Sequence, residues 1–143
     1  MWPEFAHLAF GGSVAPLQGM AQPPYNIQKR TFLFATAVVK FCRGLTDAHP
    51  VTRKLSWQLL DAATSVGANM EEADGGQSKK DFIAKVGIAR KESRETVFWL
   101  RLIAATDSRC RSAVSSLLDE AKQIRAIVTT IKKNAEENTD DEK

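Results

Sequence analysis

Five polar side chains recur at steps of three and four along one stretch of this chain: Gln58, Asp61, Ser65, Asn69 and Glu72. Two of them are carboxylates, and Glu92, Glu95 and Trp99 repeat the spacing further on. Paired carboxylates invite an acid–base reading, but that work needs a positioned partner. None is recognisable here. His7 and His49 are isolated, Cys42 and Cys110 follow no metal-ligand spacing, and neither Gly67 nor Gly87 begins a helix as a phosphate-cradling glycine would. With no nucleophile–base pair either, no enzymatic activity, metal or cofactor is expected. Two readings of the polar strip are left. It is a solvated helix flank, or Asn69, Glu72, Glu92 and Glu95 form a partly buried network that sets helix register.

The other chemistry available is electrostatic. The formal charge is +3, but the last eight residues, Glu136–Lys143, hold five acids and one lysine. Residues 1–135 therefore carry 19 basic against 12 acidic residues, a charge of +7. A basic body with an acidic tail suits a polyanion-binding surface, although many soluble domains look similar. Lys29, Lys40 and Arg43 fall on the outward side of a first helix. Lys122, Arg125, Lys132 and Lys133 share a side of the last one, away from its apolar seam. If those two helices are neighbours, the rows merge into one surface for phosphate contacts. No aromatic residue interleaves with them to stack bases, so binding would be salt-sensitive and carry little base specificity. The alternative is an ordinary solvated exterior.

The elements that must position these residues are four amphipathic helices. Leu55, Leu59, Ala62, Val66, Asn69, Met70 and Ala73 lie on one face. Phe82, Val86, Ala89, Ser93, Val97, Leu100 and Ala104 repeat that pattern after a turn at Asp74-Gly75-Gly76-Gln77. Gly75 suits a left-handed residue ending the first of this pair, and Ser78 caps the second with Asp81 three residues on. An earlier helix starts after an Asn26 cap, buries Ile27, Thr31, Phe34, Val38, Phe41, Cys42 and Leu45, and ends at Gly44. Thr46–His49 connect it to Pro50, which suits a first helical turn. The last helix begins near Arg111 or Ser112. Its seam is Val114, Leu117, Ala121, Ile124, Val128 and Ile131, stepping 3-4-3-4-3 as coiled-coil packing does. The predicted fold is all-α, an antiparallel, left-handed, up-down-up-down four-helix bundle. Gly67 and Gly87 are expected to face one another where two helices approach closely.

Residues 1–25 carry Gly11-Gly12, Pro16, Gly19 and Pro23-Pro24 without helical or strand periodicity, and read as a flexible leader. Met20 is a candidate start, which would make residues 1–19 an upstream extension. The bundle is assigned to residues 26–135 and an acidic disordered tail to 136–143. No apolar run is long enough to cross a membrane, no basic region precedes Phe5–Phe10, and two unpaired cysteines suit a reducing compartment. A cytoplasmic protein is expected. Trp57, Leu60, Phe98, Trp99 and Leu102 do not fit the bundle interior, and a subunit interface explains them better than chance exposure.

These residues resemble one family. The run Gln58-Leu59-Leu60-Asp61-Ala62-Ala63-Thr64-Ser65-Val66-Gly67-Ala68-Asn69-Met70-Glu71-Glu72-Ala73 looks like its signature. So does Ser78-Lys79-Lys80-Asp81-Phe82-Ile83, followed by Ile88-Ala89-Arg90-Lys91-Glu92-Ser93 and Glu95-Thr96-Val97-Phe98-Trp99-Leu100. The family is the bacterial four-helix-bundle proteins encoded within intervening sequences of 23S ribosomal RNA genes. They are related to accessory variability proteins of diversity-generating retroelements. The likeness covers residues 26–131; Ala73 stands where many members have glycine. The resemblance implies a four-helix bundle, commonly a ring-shaped homopentamer, without established enzymatic activity. In the retroelement branch it implies nucleic-acid binding and partnership with a reverse transcriptase. The reading is a non-enzymatic oligomer that binds structured RNA or DNA as an accessory factor. The alternative is a protein-binding scaffold that uses the Trp57/Trp99 surface and has no nucleic-acid role.

Overall fold

The computed structural model of the chain describes residues 26–140, and the expected leader over residues 1–25 lies outside them. Four helices pack against one another, with no strand among the described residues. They are α1 (Ile27–Arg43), α2 (Pro50–Asp74), α3 (Lys79–Thr106) and α4 (Arg111–Asp140), with a single 3-10 turn, Ser108–Cys110, between α3 and α4. The protein is an all-α four-helix bundle.

Each start has a local cause. The Asn26 side chain accepts from the Lys29 N–H at 2.9 Å, and Ser78 accepts from Asp81 N–H at 3.1 Å. Pro50 occupies the first turn of α2, as expected, and the His49 ring caps it by accepting from Val51 N–H at 3.1 Å. Asp107 is extended backbone that ends α3; its carboxylate accepts the Thr52 hydroxyl at 2.9 Å and Arg109 N–H at 3.1 Å. That joins the start of α2 to the end of α3. At their other ends Glu72 meets Lys85 at 2.6 Å, so α2 and α3 run antiparallel.

The core follows the predicted seams. Phe34, Leu59, Met70, Leu100, Ile103, Leu117 and Ile124 are fully buried; on α3 the last inward residue is Ile103 rather than the expected Ala104, which is only partly buried. Burying one such side chain contributes about 1.5–3 kcal/mol. α1 is the least embedded helix. It packs on α2 and meets α4 much less extensively.

Three expectations are corrected. Gly75 is not left-handed, with φ −87° and ψ 6°. The residue that the turn requires to be small is Gly76: a Cβ there would stand 3.1 Å from the Ala73 carbonyl oxygen and 3.2 Å from Asp81 Oδ2. Gly67 and Gly87 do not face each other. Gly67 backs onto the Thr31 carbonyl of α1, whereas Gly87 lies under the Lys132 side chain of α4. Third, residues 136–140 are helical rather than an unstructured tail, because α4 runs through Asp140. Lys132 pairs with Glu136, and Lys133 with Glu137 at 3.8 Å, so these two glutamates are matched one turn back along the same helix.

Candidate nucleic-acid interface

The two predicted basic rows are not brought together. Lys29, Lys40 and Arg43 are exposed on α1. Where α1 does meet α4, the link is an ion pair: Arg30 Nε donates to Glu120 at 2.5 Å and its guanidinium reaches Gln123 at 2.8 Å. Glu120 is 1% exposed, and its burial pushes the carboxyl up more than Arg30 pulls it down. At about 100° per residue, Arg125 lies about 140° and 200° round the helix from Glu120 and Gln123. Lys132, two turns beyond Arg125 on the same face, reaches over Gly87 of α3. Arg125 and Lys132 therefore flank α3, not α1, while Lys122 and Lys133 are exposed. Its Lys132 and Lys133 are also partly neutralised by Glu136 and Glu137.

A different cationic surface results. Arg101 of α3 and Arg111 of α4 line one groove of about 530 Å³, with Phe98, Leu102 and Leu118 as its apolar wall. Further along α3, Arg90, Lys91 and Arg94 line a second hollow of about 550 Å³ beside Gly87, with Glu95 as its one acid. The Arg90 Nε is buried without a hydrogen-bond partner among the described residues. The sequence pattern held a signal for this surface: Arg90, Arg94 and Arg101 recur at steps of four and seven, the spacing of a single helix face. The repeat flanks the apolar seam on the side away from Glu92, Glu95 and Trp99, where it reads as ordinary solvation.

The four residues of the proposed polar network do not form one. Asn69 donates within its own helix, to the Ser65 carbonyl at 2.8 Å and the Ser65 hydroxyl at 3.2 Å. Glu72 is exposed and pairs with Lys85. Glu92 is half-buried; desolvation and then the neighbouring Glu95 push its carboxyl up, Asp61 adds to this, and Lys91 opposes it. The buried side-chain pairs that link different elements are instead Arg30–Glu120 and Thr52–Asp107. Among the described residues no three His, Cys, Asp or Glu side chains gather in a metal-holding group. No described helix is long and apolar enough to cross a membrane.

The five residues proposed as one subunit interface are divided between surfaces. Trp57, 63% exposed, and Leu60 line a cleft against α1. Phe98, 50% exposed, and Leu102 line the groove against α4. Trp99 is half-buried against the core, edge-on to Phe98 at 5.0 Å, with its Nε1 buried.

The fold and these surfaces define an all-α bundle with a cationic flank. The family model of the 23S rRNA-intervening sequence protein matches residues 25–130, and the chain belongs to that family. A solved structure from Bacteroides thetaiotaomicron, described as a protein of unknown function from the S23 ribosomal protein family, is 33% identical. The match covers 75% of this chain and 98% of that one, with a TM-score of 0.67. No curated protein matches the chain.

Proposed function

We propose that this protein is a non-enzymatic, self-associating accessory factor that binds structured RNA or duplex DNA through the α3/α4 flank. The observation that carries the reading is the paired basic lining of that flank, with Arg101 facing Arg111 and with Arg90, Lys91 and Arg94 continuing the row. Guanidinium groups along a groove complement the charge of a phosphate backbone and can donate to its oxygens, and they confer affinity rather than base specificity. A self-associating bundle repeats the flank in every copy, raising the local positive potential.

The test is fluorescence anisotropy of a labelled RNA stem-loop and a DNA duplex across a salt series. Affinity should fall steeply with salt, since each phosphate neutralised adds about 0.9 to the log–log slope on duplex DNA. Replacing Arg94, Arg101 and Arg111 by Gln should reduce that slope by about 2–3, while Lys29→Gln with Lys40→Gln on α1 should leave it nearly unchanged. A second reading, a protein-binding scaffold, is favoured by the exposed Ile88 and Phe98 on α3. It takes over if the wild-type protein retains neither nucleic acid at low salt.

A further inference from the structure

The cleft where α1 ends and α2 begins has the features of a small-ligand site. It is half-open, about 250 Å³, and lies between the last turn of α1 and the first turns of α2. Its apolar lining comes from Val39, Leu45, Leu60 and the ring of Trp57. Two guanidinium groups, Arg43 and Arg53, complete it, and no acidic residue lines it. Among the described residues neither arginine pairs with a carboxylate. The Cys42 thiol in the wall is pushed up to about 11 by burial and donates to the Ser56 carbonyl at 3.4 Å. It is a neutral thiol at physiological pH, so the wall beneath the arginines carries no negative charge.

We infer that this cleft binds a single unpaired nucleotide, its base stacked on Trp57 and its phosphate held by Arg43 and Arg53. A flat, solvent-facing indole is a stacking platform that accepts any base, and arginine beside it adds cation–π attraction. An aliphatic anion would satisfy the arginines but gain nothing from the indole face. A bare phosphate would leave the apolar lining unused. The volume falls below the roughly 300–1,000 Å³ of sites for drug-sized ligands, so one ring system fits and a base pair does not. The site is separate from the α3/α4 flank and does not rest on it, because a free nucleotide satisfies it alone.

The test is isothermal titration calorimetry with AMP, adenosine, inorganic phosphate, octanoate and a short single-stranded oligoadenylate. AMP or the oligoadenylate should bind at least about tenfold more tightly than adenosine, phosphate or octanoate. Binding by AMP marks a free-nucleotide site. Binding by the oligoadenylate without AMP marks a site for a strand, and both support the inference. Arg43→Gln, Arg53→Gln and Trp57→Leu should each weaken binding about tenfold with circular dichroism unchanged. Indifference of nucleotide binding to Trp57→Leu would overturn the inference. So would octanoate binding as tightly as AMP. A smaller particle for Trp57→Leu in light scattering would also overturn it, since a second copy would then cover the cleft.

Discussion

Glu120 stands among the inward residues Leu117, Ala121 and Ile124 of α4 yet carries a carboxyl group, and Arg30 is what makes that position tolerable. Removing one member of a buried pair strands the other's desolvation cost. Glu120→Ala should lower unfolding stability by about 3 kcal/mol in urea titrations, and converting both residues to leucine should recover much of the loss. Glu92 behaves with the opposite logic, because its carboxyl has no bonded cation and is raised by burial, Glu95 and Asp61. Its folded-state pKa lies above its unfolded value, so between the two the folded state holds more protons. Stability therefore falls as pH rises through that window and stays reduced above it. Glu92→Gln should raise the melting temperature at pH 7 and leave it nearly unchanged below about pH 4, where the native carboxyl is protonated in both states.

At the scale of the helix, the glycines separate two effects that a sequence merges. Gly87 is mid-helix, and a Cβ there meets only the far end of a flexible lysine at 3.3 Å. Gly87→Ala should stabilise the protein by up to about 1 kcal/mol, the propensity difference, as Lys132 moves aside. Gly76 faces a backbone carbonyl at 3.1 Å, which cannot yield without reshaping the turn. Gly76→Ala should cost about 1 kcal/mol. A chemical denaturation series on both variants checks the pair, and equal shifts of the same sign would contradict this account. The caps at Asn26 and Ser78 were legible from sequence because capping is local, fixed by residues three apart. His49 as a cap was not, because an isolated histidine carries no such spacing signal.

For the whole molecule, exposed apolar side chains are spread over three helices, with Phe32 on α1 and Val51 and Trp57 on α2; on the outer side of α3 the pair is Ile88, 42% exposed, and Phe98, 50% exposed. They are ten residues apart, nearly three full turns, so they lie on neighbouring sides of the helix. Self-association through this face should be lost in Phe98→Glu, which would scatter light as a smaller but equally helical particle. A wild-type protein running as a monomer at micromolar concentration would remove self-association from the proposal. The Arg94, Arg101 and Arg111 substitutions change charge while leaving Phe98 and Ile88 in place, but Phe98 walls the same groove as Arg101 and Arg111, so Phe98→Glu is read by light scattering and not by nucleic-acid affinity.

Helix positions, their inward faces and the fold class were determined by the sequence alone, because amphipathic periodicity and capping act over three to seven residues. Phe34, Leu59, Val66, Leu100 and Val128 are buried where the seams placed them. Which flank of one helix meets which flank of another was decided only in the tertiary structure. The basic residues of α4 obey the same spacing whether they lean toward α1 or α3, and packing brings Lys132 and Arg111 against α3. Trp57 and Trp99 share an outward bias in sequence, yet packing leaves one in an open cleft and half-buries the other. Rotation of each helix about its axis is set by burial of side chains distant in the chain, as between Arg30 and Glu120, and no local pattern encodes it.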